Sequence, residues 1–148
     1  MHRSRLSTIV IDCDEATFDR DAQFWSGALG KALMPYENPR YMTLKGRVGG
    51  GGGPIVLLQR VPPAERAVHL DIETDDVEAE VMRMEGLGAR LKTRVRGHVV
   101  MTAPSGHAFC IVPAHRPDFP EKAATWGGSH DKVPVTQKPA GPDSPGKA

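Results

Sequence analysis

The stretch AVHLDIETDD, Ala67 to Asp76, sets one histidine and two acids at alternate positions. His69, Asp71 and Glu73 alternate with Val68, Leu70 and Ile72, the period of a strand with one polar and one apolar face. An imidazole and two carboxylates sharing a face can hold a divalent metal, move a proton or anchor a polar ligand. They can equally be the wetted side of a sheet, with His69 bonded to Asp71, Gln59 or a backbone carbonyl.

Other chemistry-bearing residues are few. Cys13 and Cys110 are the only cysteines, and both lie in or beside apolar runs. Reduced, unpaired thiols are expected, as is a cytoplasmic setting. His98 opens a strand-like run and His107 follows a turn glycine, so both are expected at the surface. The run RVGGGGGP, Arg47 to Pro54, carries no phosphate-loop lysine and opens no helix. It reads as a hairpin tip rather than a nucleotide loop.

The elements that would position these residues occur twice. LSTIVIDCDE and AVHLDIETDD are strands ending in acids. The first is followed by a helix with Phe18, Ala22, Trp25 and Leu29 on one stripe. A second helix follows the second strand, with Val77, Val81 and Met84 as its stripe and Asp75 to Glu78 as a capping-box signal. Leu29-Gly30 and Leu87-Gly88 supply the helix ends. Three strand-like pieces then follow in each half: KALMPYE, RYMTLKG and PIVLLQRV, then ARLKTRV, HVVMTA and AFCIVP. The expected class is α+β, two βαβββ modules over residues 6–60 and 67–113. In the second module Val68, Leu70 and Ile72 should face the helix.

From Ala114 onward the composition turns to proline, glycine and charge, and residues 114–148 read as a mostly irregular tail. Phe119 and Trp126 stand out there as aromatics able to dock on the domain or on a partner subunit. The chain has 148 residues and a formal charge of +1. That gives no electrostatic case for nucleic acid or an anionic membrane. No apolar run is long enough to span a bilayer, and Met1 to Arg5 leads straight into a strand pattern without a leader-like stretch.

FWSGALG, LLQRVPP, VHLDIETDDVEAEVMRMEGLGAR and VVMTAPSGHAFCIV resemble the vicinal oxygen chelate superfamily, the glyoxalase and bleomycin-resistance fold, and within it the glyoxalase-like domain proteins. The resemblance covers Leu6 to Pro113. It implies a cleft on the concave sheet faces and a homodimer. It also implies a divalent metal held by one side chain from the first and last strand of each module. Carried over by position, those side chains are Thr8, Gln59, His69 and Cys110. Only His69 is a standard ligand, so the resemblance implies a degenerate metal site and a small organic ligand in the cleft, contacted by His69, Gln59, Thr8, Asp71 and Tyr41. Trp25, Tyr36, Met42 and Met101 are further wall candidates. The alternative is a metal-dependent lyase, isomerase or dioxygenase, with His69, Gln59 and Cys110 as metal ligands and Glu73 or Asp71 as base.

Overall fold

The structure is a computed structural model that describes residues 1–46 and 53–127. The hairpin tip expected in the glycine run and the irregular end expected for the tail lie outside the described residues. The first half comprises β1 (His2–Asp14), α1 (Phe18–Leu29), β2 (Ala32–Pro35), β3 (Tyr41–Lys45) and β4 (Ile55–Val61). A single 3-10 turn, Pro63–Glu65, leads to β5 (Val68–Thr74), α2 (Val77–Gly86), β6 (Arg90–Val95), β7 (His98–Thr102) and β8 (Ala108–Pro113). This is the βαβββ plan, made twice. It is followed by a short helix α3 (Phe119–Lys122) and a strand β9 (Ala124–Trp126).

The strands join in the order β2-β3-β4-β1-β5-β8-β7-β6, with β9 added to β1. Within each half the first strand runs parallel to the last, β1 to β4 and β5 to β8. The halves meet edge to edge where β1 and β5 pair antiparallel, Val10 opposite His69, with a register shift between Leu6 and Thr8. The arrangement leaves neither first strand as a free edge, which removes two templates for unwanted pairing.

Alternation along the last strands separates core from cleft. Val56 and Leu58 of β4 join Phe18, Ala22 and Cys13 beneath α1, with Trp25 and Met42 packed against them. Leu57 and Gln59 point the other way, into a cavity. In the second half Phe109 and Ile111 pack with Val81, Val99 and Met101 beneath α2, while Ala108, Cys110 and Val112 line the cavity. Gly30 closes α1 in the left-handed region at φ 61°, where a side chain would be strained. The cap of α2 is Asp76, whose carboxylate accepts from the Ala79 amide. Asp75 instead accepts from the backbone and side chain of Arg3, so the capping-box expectation was one residue early.

Further expectations change or are narrowed. Val68 and Leu70 do not pack under a helix: they are 58% and 41% exposed, because α2 lies over β7 and β8 and reaches only Ile72 of β5. Leu29 is also exposed, so the α1 stripe is buried at its start and open at its end. The aromatics of the tail dock on their own chain. Phe119 is buried, and Trp126 in β9 pairs with His2 of β1 and donates its indole N–H to Ser4 Oγ at 2.8 Å. β1 itself begins at His2 rather than Leu6.

Candidate functional site

Parallel and antiparallel register bring residues far apart in the chain into rows across the concave face. One row reads Tyr41, Gln59, Asp12 across β3, β4 and β1. A second runs from Leu57 through Val10 to His69, and a third from Thr8 through Asp71 to Cys110. All but Thr8 and Asp12 of these rows border a cavity of about 450 Å³, whose walls also include Val100, Phe109, Val112 and Tyr36. Such a volume is in the range that accepts a small organic molecule. The two tyrosine rings meet edge-to-face with centroids 6.0 Å apart.

His69 lies between two carboxylates. Its Nδ1 is 3.5 Å from Asp71 Oδ1 and its Nε2 is 3.5 Å from Asp12 Oδ1. Those contacts are charge pairs at the limit of hydrogen-bond length, and Asp12 Oδ1, His69 Nδ1 and Asp71 Oδ1 are buried without a hydrogen-bond partner. Asp71, then Cys110, then the charge of Asp12 push the His69 pKa up to about 10 against the opposing effect of burial. Burial raises the Asp12 carboxyl, and the neighbouring His69 and Arg40 charges only partly offset it. At neutral pH the centre is an imidazolium clasped by two acids in a largely apolar hollow. The other thiol, Cys13, is pushed up to about 11 by burial and the charges of Asp21 and Asp12, which makes it inert under α1. Both cysteines are free.

The side chains expected from the sequence are only partly brought together. His69, Asp71, Gln59, Tyr41 and Cys110 border the cavity. Thr8 does not: it is buried one row away, its hydroxyl 3.3 Å from Ser7 Oγ. The residue facing His69 across the seam is Val10. Glu73 is no candidate base. It is 0% exposed, receives Arg5 Nε at 2.6 Å and the amides of His115 and Arg116, and so ties the segment after β8 to β1 and β5. Burial raises its pKa, but these donors outweigh burial and leave it lowered. Of the other wall candidates only Tyr36 lines the cavity; Trp25 and Met42 pack against the core beneath α1, and Met101 is core beneath α2.

The four-donor metal centre implied by the family positions does not fit these residues. Val10 supplies no donor where Thr8 was expected. With its amide oxygen turned to Arg40, Gln59 accepts from two guanidinium nitrogens, Nη2 at 2.9 Å and Nε at 3.2 Å. What the fold does assemble is a smaller group: His69, Asp71 and Cys110 each place one donor atom within 4.8 Å of the others, and such a trio could hold a metal ion.

Three side chains at the site escaped the sequence reading: Asp12, Arg40, and His98, which lines the cavity where a surface position was expected. A signal for Asp12 existed. It precedes Phe18, where α1 starts, by six positions, and Asp71 precedes Val77, where α2 starts, by the same six. Val10 and His69 share the corresponding eight. Aligning the halves on their helix starts identifies Asp12 as the module-one counterpart of Asp71. Arg40 left no such trace, because it reaches the site from the turn before β3.

Several solved structures share the fold. A protein from Legionella pneumophila described as an NAD-dependent benzaldehyde dehydrogenase matches with TM-score 0.53 and 12% identity, over 73% of this chain and 98% of that one. A glyoxalase/bleomycin resistance protein/dioxygenase superfamily member from Vibrio splendidus matches with TM-score 0.50 and 17% identity, over 75% and 99%. The 2,2',3-trihydroxybiphenyl 1,2-dioxygenase of Sphingomonas wittichii matches with TM-score 0.52 and 12% identity, over 77% of this chain and 42% of that longer one. Identities this low speak for the fold alone. No curated protein matches the sequence. The model of the glyoxalase-like domain matches residues 8–112, both modules and the seam that joins them, and on that ground the chain belongs to the glyoxalase-like domain family.

Proposed function

We propose that this protein binds a small organic molecule in the cleft between its two modules. The polar anchor is the His69–Asp71 pair, backed by Asp12, and the apolar body of the ligand lies against Val10, Leu57 and Phe109 beneath Tyr41 and Gln59. One observation carries this reading. Two buried polar atoms with no hydrogen-bond partner, His69 Nδ1 and Asp71 Oδ1, belong to residues that line the largely apolar cavity. Such atoms cost free energy until something satisfies them, and a ligand with matching donors and acceptors does so. The test is a thermal-shift screen of small hydroxylated and carbonyl compounds, since a bound ligand raises the melting temperature by mass action. A hit whose shift disappears in Asp71→Ala and shrinks in Tyr41→Phe supports the reading. A library without any saturable hit, or a shift indifferent to both substitutions, overturns it.

A second reading is a metal-dependent lyase, isomerase or dioxygenase, favoured by the trio His69, Asp71 and Cys110. Nitrogen, oxygen and sulfur donors suit zinc better than magnesium or calcium. Bound there, the ion would supply Lewis-acid polarisation of a ligand oxygen. Elemental analysis of the purified protein separates the two readings.

We also infer pairing of two copies. Leu6, Val68 and Leu70 form an exposed apolar strip on the outer face of the β1–β5 seam. The seam relates the two modules by an approximate two-fold, so the strip suits a self-matching interface. Burying it would contribute about 25 cal/mol per Å² of apolar surface.

A further inference from the structure

The outer face of the sheet carries an apolar trough between its two helices. β1 and β5 run side by side along it, with Leu6 opposite Ile72, Ile9 opposite Leu70 and Ile11 opposite Val68. Ile11 packs on the core beneath α1 and Ile72 on the core beneath α2, so this aliphatic ladder joins the two cores. On the side of the second module the trough opens into a hollow of about 610 Å³, whose walls include Val68, Leu70, Ile72, Met84, Ala103 and Phe109. The first module carries the opposite shape. Phe24 stands out from α1, 63% exposed, its ring set edge-to-face on Trp25 with centroids 5.2 Å apart. Asp21, three positions earlier on the same flank of α1, lies close enough to β1 for its charge to act on the Cys13 thiol. That flank, with Phe24 on it, is therefore the one turned toward the seam.

We propose that, when two copies pair, Phe24 of each chain fills the hollow between β5, β8 and α2 of the other. The inference rests on the pairing reading and names the contact that completes it. Leu6, Val68 and Leu70 are too few to hold two chains together by themselves, since a stable interface buries about 800 Å² on each partner. The hollow and the face of α1 continue the same apolar surface and supply the remainder. Symmetry selects the pairing of knob and hollow. A two-fold axis running along the seam brings the first module of each copy over the second module of the other, and every contact made once is then made twice. A protrusion on one module and a recess on the other are what such an axis needs. A phenyl ring already held by its neighbour loses little freedom on entering the recess, and no charged side chain is among the walls to be stripped of water.

The experiment uses the full chain. Sedimentation over a dilution series gives the dissociation constant of the pair. Phe24→Ala should raise it about tenfold or more, the effect of removing a central aromatic anchor, and Phe24→Leu should raise it less. Added to the Leu70→Glu variant, Phe24→Ala should leave the melting temperature unchanged, which separates lost association from lost folding. Chains with p-benzoylphenylalanine in place of Phe24 are then mixed with their ¹⁵N-labelled counterparts and irradiated. The expected crosslinks join a labelled to an unlabelled chain and end in residues 67–83 or 84–90, the tryptic peptides that carry the walls of the hollow on β5 and α2. A pair whose dissociation constant ignores Phe24→Ala, or whose crosslinks join α1 to α1, overturns this inference and leaves pairing through the strip in place. A chain that stays monomeric throughout the dilution series overturns both. An apolar small molecule that leaves the purified protein on denaturation, and whose removal alone permits pairing, would make the hollow a ligand site and overturn the inference as well.

Discussion

Val10 stands directly opposite His69 across the β1–β5 seam, so the two modules present a methyl-bearing side chain and an imidazole at equivalent places. At that position one half of the site has a donor and the other has none. Purified protein should therefore carry well under one equivalent of Zn²⁺, Mn²⁺, Ni²⁺ or Fe²⁺ by elemental analysis. Val10→His should tighten zinc binding by about tenfold or more in a competition with a chromophoric chelator, because metal affinity grows with the number of correctly placed donors. About one ion per chain in the unmodified protein, lost in His69→Ala, would instead make the metal-enzyme reading the leading one.

The raised pKa of His69 has a definite sign in stability. The unfolded group titrates near 6.5 and the folded one near 10, so the folded state binds the proton more tightly. Its stabilisation is complete below about pH 6.5 and is lost as pH rises toward 10. The melting temperature should fall between pH 6.5 and 9, and the fall should be smaller in His69→Asn, which removes the titrating group. Parallel profiles for the two proteins would show that the two acids do not hold the proton.

Glu73 is expected to act on stability rather than on ligand binding. Glu73→Ala leaves the largely buried Arg5 guanidinium with Asp118 as its remaining carboxylate and frees the amides of His115 and Arg116. Breaking one member of a buried pair costs on the order of 3 kcal/mol. Urea denaturation should show this loss, whereas the affinity of any ligand found for the cleft should change less than about twofold, within the scatter of uncoupled sites. A variant of normal stability and lost binding would return Glu73 to the site.

Association and tail docking are separable. Leu70→Glu places a charge on the apolar strip and should shift the sedimentation profile toward monomer without lowering the melting temperature of the monomer. Trp126→Ala removes an indole that bonds Ser4 and stacks on Arg83 at 3.9 Å, and should cost about 2 kcal/mol with association unchanged. A chain that stays dimeric with Leu70→Glu, or is monomeric from the outset, would remove the pairing proposal.

The sequence by itself determined what depends on neighbours along the chain. Two strand-helix-strand series, the glycine after α1, the buried Phe18 and Ala22, and the polar face of β5 all follow from periods of two and 3.6, which are local. The free cysteines and the shared face of His69 and Asp71 were legible as well. Only the tertiary structure decided what depends on register and coverage. Thr8 and Val10 alternate identically in sequence, and a shift at Leu6/Thr8 together with the pairing of β1 on β5 decides that Val10, not Thr8, faces His69. Glu73 has the same pattern as His69 and Asp71, but the chain beyond β8 folds back over it with Arg116 and Asp118, and a catalytic-looking acid becomes a buried tie. Val68 and Leu70 read as core, yet α2 leans toward β7 and β8 and leaves them in water. Alternation says which side chains share a face; which face is covered, and by what, is a property of elements that meet only when the chain has folded.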